Sequence, residues 1–303
     1  QFVQADAASR RGLTQVLGGS ETMSVVEAVI ASTALDSQGE RLTPEAIRQL
    51  SESVNSRLIP IGTEHDPRIP PQGRLRSCFV RERPDGELEA VAEMEFFETG
   101  REPLPAADRE IPIHSATDEK LVISYDWTHR DPSDRNDIDA IAQLLGTRPA
   151  YEAKKAADPI SIISLTGAFV LGGIASGLFN KIGSDIWDSL KPRLLRLTSK
   201  TETRKGDQLV IFRTLVEIDG STREVETILT NPTVEQIELF LRQGASVLDK
   251  VLPIYTQGAP ELKRLVFEYH DGEMQVRFGV LRDCRPVTPT LSVKDIIDRG
   301  PAP

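Results

Sequence analysis

The residues best placed to do chemistry are His65, Ser124 and the carboxylates around them. His65 follows the apolar run Leu58-Ile59-Pro60-Ile61 and precedes Asp66-Pro67, so a strand delivers it to a loop before a second strand opens near Gly73. An imidazole held in this way can take a proton near neutral pH. Ser124 lies in Lys120–Thr128, whose alternation predicts a strand with Val122, Ser124 and Asp126 on one face. A serine hydroxyl becomes a nucleophile only when a base takes its proton and donors stabilise the oxyanion, so the chemistry in question is acyl transfer. Glu95 and Asp126 are the candidate carboxylates for orienting the imidazole, and His129 is a further candidate for a third member. His65 also fits a loop histidine held by Glu64 or Asp66, and Ser124 an ordinary strand serine. His114 and Ser115 are adjacent, and neighbours in an extended chain point to opposite faces. The four histidines are too spread to gather a metal, and Cys78 and Cys284 are too far apart to suggest metal spacing or a disulfide framework. No metal or cofactor is expected.

The elements that must position these residues begin with a strand over Val25–Ser32 and a polar turn over Asp36–Arg41. Thr43 is the expected N-cap of a helix with Pro44 in its first turn and Ala46, Ile47, Leu50 and Val54 on one buried face, ending before Leu58. Strands over Gly73–Glu82 and Glu87–Phe97 are joined across Pro84-Asp85-Gly86, a hairpin signal. The order strand, turn, helix, strand, histidine, hairpin predicts a small β-barrel with helices.

This order, with Asp36-x-x-Gly39-x-x-Leu42, Ile59-Pro60-Ile61, Glu64-His65-Asp66, Gly73-Arg74-Leu75 and Asp85-Gly86-Glu87-Leu88, resembles the phage prohead maturation proteases. These are serine peptidases that share their fold with the herpesvirus assemblins. The resemblance covers roughly residues 23 to 130. It implies a catalytic histidine at His65 and a nucleophile on a later strand, where the family reads approximately Ser-Ile-Gly-Phe. The matching place is Ser124-Tyr125-Asp126-Trp127, with Asp126 and Trp127 in place of Gly and Phe, and the helical lead-in is replaced by Pro103–Pro112.

With 303 residues, the chain is long enough for two domains. A hydrophobic share of 39% with 27% charged residues excludes a disordered chain. A net charge of −10 argues against a nucleic-acid partner, because phosphate neutralisation needs a basic surface. Two distant cysteines fit a reducing, cytoplasmic setting. Gln1–Ser20, rich in Ala, Gly and Ser, reads as a mobile tail rather than a signal peptide.

Beyond Glu98 the chain is rich in Pro and acidic residues to Lys120, so no long helix is expected there. Asn136–Leu145 predicts a short helix ended by Gly146. Residues 160–180 carry no charge over 21 positions, matching the length of a bilayer span, and Gly173 and Gly177 have the spacing of close-packed helices. The run reads as a hydrophobic helix that is either buried in a protein interface or inserted in a membrane. Ile182–Leu197 reads as a basic amphipathic helix broken by Pro192. Thereafter Gln208–Ile218 and Thr222–Leu229 are expected to form a hairpin at Asp219-Gly220, Thr233 and Gln236 a capping box on a helix to about Leu252, and Leu262–His270 with Glu273–Leu281 a second hairpin. No titratable cluster is expected in this unit. A short helical run over Val293–Ile297 lies in the Pro-rich tail.

The expected fold class is α+β: an N-terminal prohead-protease-like barrel, central hydrophobic and amphipathic helices, and a C-terminal β-β-α-β-β domain. The expected divisions are a tail 1–22, the barrel 23–135, a helical linker 136–158, the helices 159–200, the C-terminal domain 201–285 and a tail 286–303. The expected function is a serine endopeptidase acting on itself or one protein partner in a bacterial or phage-related defence system, with His65, Ser124 and Glu95 as site residues. The alternative is a non-catalytic interaction protein with a membrane-active or oligomerising central helix. Either form is expected to be a homo-oligomer, and residues 160–197 are the candidate membrane contact.

Overall fold

A computed structural model describes residues 11–13, 24–34, 41–62, 66–97, 102–104, 114–115, 122–126, 132–152, 161–168, 188–198, 207–218, 221–257 and 259–299. The chain is α+β and divides into two compact units, Gln1–Glu102 with Val280–Val287, and Pro103–Gly279 with Thr288–Pro303.

The first unit contains β1 (Arg11–Leu13), β2 (Ser24–Ser32), α1 (Pro44–Ser56), β3 (Ile59–Ile61), β4 (Gly73–Glu82) and β5 (Leu88–Phe96). Its sheet runs β1-β2-β5-β4-β3, antiparallel throughout, and among the described residues no pairing closes it into a barrel. The Thr43 hydroxyl accepts from the Ala46 amide and Pro44 opens the helix, as the sequence predicts. α1 lays Ile47 and Val54 on one face of the sheet, where Ile59, Ile61, Leu75, Cys78, Ala90, Ala92 and Met94 complete the core. The docking is polar as well as apolar. The Asn55 side-chain amide donates to the Cys78 carbonyl at 2.7 Å and accepts from the Cys78 amide at 2.8 Å, and the Ser51 hydroxyl donates to the same carbonyl at 2.8 Å. These bonds meet β4 just past the register shift between Leu75 and Ser77, where ladder pairing with β5 is interrupted.

The remaining elements are β6 (Glu102–Leu104), β7 (His114–Ser115), β8 (Val122–Asp126), α2 (Pro132–Leu144), β9 (Ala150–Glu152), β10 (Ser161–Ala168), α3 (residues 188–198), β11 (Gln208–Ile218), β12 (Ser221–Thr230), α4 (Val234–Leu239), α5 (Ala245–Gln257), β13 (Leu262–His270), β14 (Glu273–Leu281), β15 (Pro286–Pro289) and α6 (Val293–Arg299), all in the second unit except Glu102 of β6, Val280–Leu281 of β14 and Pro286–Val287 of β15. The strand order is β6-β15-β14-β13-β12-β11-β10-β8-β9, with β7 paired to β11. The β-β-α-β-β order expected after residue 207 is present. Thr233 and Gln236 form the predicted capping box, and Asp271 (φ 50°) and Gly272 (φ 85°) make the hairpin turn between β13 and β14.

The helix layer lies on one face of this sheet. Phe240 packs between Phe212 and Tyr269 at ring-centroid distances of 4.9 and 5.3 Å, and Tyr255 meets Phe267 at 6.1 Å. Phe212 and Phe267 flank Thr227 across the ladders, so these rings share a face. α3 joins the same side, because the Gln208 side-chain amide donates to the Leu197 carbonyl, and Arg196 and Arg193 tie α3 to Asp137 of α2. Between α4 and α5 a π-helical turn, Phe240–Gly244, absorbs an extra residue, and a Cβ on Gly244 would come within 2.5 Å of the Phe240 ring.

Three expectations are corrected. Ser161–Ala168, expected as the start of a hydrophobic helix, is a strand inside the sheet, parallel to β11 and antiparallel to β8. A strand buried between two neighbours reads as an uncharged apolar run just as a buried helix does. Arg11–Leu13, expected in a mobile tail, pairs with Val25–Glu27. Ala150–Glu152, expected within a helical linker, pairs with β8. The remainder of the hydrophobic run lies outside the described residues.

Candidate functional site

His65 lies outside the described residues. Its neighbour Asp66 holds Arg68, accepting from the Arg68 amide at 2.9 Å and from the guanidinium Nε and Nη2 at 2.9 and 2.8 Å. Residues 66–69 thus close the loop on themselves, and this carboxylate is engaged by an arginine.

Glu95 sits in β5 directly across from Arg74 of β4. Its carboxylate is 1% exposed, Oε2 accepts from Arg74 Nε at 2.7 Å, and Arg76 Nε stands 3.7 Å away. The Arg74 guanidinium also donates to the Asp283 carbonyl at 3.0 Å, so Glu95 is linked through one arginine to the far end of the chain within the same unit. Ser77 pairs with Glu93 and Arg81 with Glu89 along the same two strands, each across its register partner. The sheet face away from α1 therefore carries three cross-strand polar pairs, with Glu95 at one end and the apolar pair Phe79–Val91 set among them. Gly73 makes the approach possible: a Cβ there would lie 2.4 Å from the Glu95 carbonyl oxygen.

Ser124 sits in the middle of β8, with β9 on one side and β10 on the other. Its cross-strand partner in β10 is Ser164, which in turn faces Ile211 of β11. Directly opposite residues project to the same side of a sheet, so the two hydroxyls share a face, the one opposite the helix layer. Ser124 is 6% exposed and Ser164 1% exposed, and the Ser164 hydroxyl meets no hydrogen-bond partner. His114 and Ser115 form the short β7, paired with β11.

Glu95 thus belongs to the first unit and Ser124 to the second, each fixed by its own strand neighbours. Sequence reasoning missed a third group. On β12, Glu224 and Glu226 project to the same side as Ser164, flanked by Arg213 of β11 and Arg264 of β13. Arg213 Nε donates to Glu226 Oε1 at 2.8 Å and stands 3.6 Å from Glu224, while Arg264 Nη1 lies 3.5 Å from Glu226 Oε2. Glu226 is wholly buried. Burial alone would push its pKa up, but the Arg264 and Arg213 charges outweigh it and hold the carboxyl below its ordinary value. Glu224 is pushed upward, first by desolvation and then by the charge of Glu226. The pair is therefore split, one carboxylate kept ionised and its neighbour inclined to hold a proton. The signal was present as Glu-x-Glu at strand spacing, but hairpin periodicity does not show which face is buried.

No family model, curated protein or solved structure matches the chain. Among the described residues no helix is long and apolar enough to cross a membrane, and no group of three or more metal-ligating side chains converges.

Proposed function

We propose that the chain is a serine endopeptidase of the prohead-maturation type, acting on itself or on one protein partner. The observation that carries this reading is the element order β2, α1, β3, β4, β5, with His65 between β3 and β4 in the sequence, which is the order on which the resemblance rests. In this reading the five-stranded sheet of the first unit belongs to an assemblin-like barrel. His65 takes the proton of the Ser124 hydroxyl, Ser124 Oγ bonds to the scissile carbonyl carbon, and the carbonyl π electrons move to oxygen. Collapse expels the amine, which leaves with the proton from His65, and water then releases the acyl group. Glu95, fixed in place by Arg74 and Arg76, is the carboxylate assigned to the histidine. The protein works in a reducing cytoplasm, in keeping with the burial of both thiols, Cys78 and Cys284. The test is the full chain against His65→Ala and Ser124→Ala, followed by mass spectrometry of the chain and of its co-purifying proteins. Cleavage lost in both variants supports the reading, and unchanged cleavage in either removes it.

A second reading is favoured by the near-complete burial of Ser124 in a strand paired on both sides. In it the two units are non-catalytic interaction modules, and the protein assembles with copies of itself or a partner. It predicts no serine reactivity in the parent chain, together with a concentration-dependent mass by light scattering.

A further inference from the structure

Ser164 poses a problem that its own strand does not solve. Its hydroxyl is 1% exposed and has no hydrogen-bond partner, although a buried unsatisfied polar group costs about 1–3 kcal/mol and native structures rarely keep one without a role. An alanine or valine would serve β10 better as packing. The hydroxyl is also placed with care: the β8–β10 register sets it directly across from Ser124. Opposite residues of antiparallel strands hold their Cβ atoms about 4.5–5.5 Å apart, which puts two serine hydroxyls within reach of each other by rotation about χ1. Both strands are locked on their other edges, β8 by β9 and β10 by β11 along its whole length, so the register cannot slip without displacing both.

We propose that Ser164 is a positioning residue for Ser124. It deepens the peptidase reading and rests on it. When the Ser124 hydroxyl gives its proton to the base, its oxygen carries growing negative charge while it bonds to the carbonyl carbon. The Ser164 O–H donates to that oxygen, selecting the reactive rotamer of Ser124 and favouring its deprotonated form, because a hydrogen bond to the charged state lowers the acidity threshold. No proton leaves Ser164 and no bond to it forms or breaks. The role explains why the hydroxyl is unmatched in the resting protein: its partner is a lone pair that turns toward it only when Ser124 reacts.

The test uses the full chain and a fluorophosphonate probe, with the labelled position read by peptide mapping and the labelling rate followed over about pH 6 to 9, the range in which a histidine base titrates. Parent, Ser124→Ala, Ser164→Ala and Ser164→Thr are compared. The probe is expected on Ser124 of the parent. Ser164→Ala is expected to label about tenfold more slowly, the effect of losing one hydrogen bond, with its pH midpoint moved upward. Ser164→Thr, which keeps the hydroxyl, restores most of the rate. Removing an unsatisfied hydroxyl should not lower the melting temperature, and thermal melts of each variant confirm that the rates compare folded chains. Labelling of Ser164→Ala at the parent rate and pH midpoint overturns the proposal while leaving the peptidase reading intact. A parent chain that takes no probe at Ser124 overturns both.

Discussion

At the scale of single residues the buried carboxylates of β12 give the sharpest expectation. Glu226 has its pKa depressed in the fold, so it contributes stability above the ordinary carboxylate value of 4.5 that is lost as pH falls through its lower folded value. Glu224 is raised, so the fold binds its proton more tightly than the unfolded chain does. Its contribution is favourable at low pH and declines as pH rises from 4.5 through its folded value. The two neighbours therefore respond in opposite directions to the same substitution. Glu226→Gln leaves Arg264 facing a neutral group and Arg213 with only the more distant Glu224, and is expected to cost about 3 kcal/mol at neutral pH. Glu224→Gln is expected to raise the melting temperature at pH 7 and to leave it unchanged at pH 4. Thermal melts of both variants at the two pH values check the signs, and a Glu224→Gln chain less stable than the parent at pH 7 would contradict them.

At the scale of elements, the seat of α1 depends on a bridge to one residue of β4. Asn55 satisfies both the amide and the carbonyl of Cys78 beside the register shift, where the sheet ladder does not. Asn55→Ala is expected to cost about 2–3 kcal/mol, since it leaves a buried backbone amide without its partner, whereas Ser51→Ala, removing a second donor to the carbonyl, costs about 1 kcal/mol. Urea denaturation measures the difference, and equal losses would refute it. Elements of this kind were legible in the sequence because local rules fix them: Thr43 and Thr233 as caps, Asp271-Gly272 as a turn, and the strands Gly73–Glu82, Gln208–Ile218 and Leu262–His270 by alternation and β-formers. Ser161–Ala168 was misread because its identity depends on β8 and β11, which lie beside it in space and not in sequence. The pairing of Ser124 with Ser164 was invisible for the same reason: register between strands 40 residues apart leaves no mark on either. Glu95 was legible as a carboxylate on a hairpin strand, but its burial and its partner Arg74 are set by the β4–β5 register past an irregularity that no hairpin rule places.

At the scale of the whole molecule, the first unit is not a continuous stretch of chain. Val280–Val287 belongs to it, and Asp283 within that segment receives Arg74 through its carbonyl, with its own carboxylate 3.9 Å from the same guanidinium. Burial raises the Asp283 pKa, but the hydrogen bonds and charge of Arg285, with the charge of Arg74, outweigh it and bring the pKa below the ordinary value. Truncation after Gly279 is expected to destabilise the first unit although none of its first 102 residues is altered. Limited proteolysis followed by mass spectrometry reads this directly: cuts within residues 41–97 should appear sooner in the truncated chain than in the parent, and identical cutting patterns would show that the segment is dispensable.

The same segment bears on how the protein is made. A nascent chain emerges from the ribosome with α1 and the β4–β5 hairpin long before Asp283 is synthesised, so the Arg74 and Glu95 pair waits through about 190 further residues for its contact with Asp283, or roughly 10–40 seconds at ordinary elongation rates. During that interval the early sheet is open to chaperones and to premature association, and it gains this contact only once Asp283 has been made.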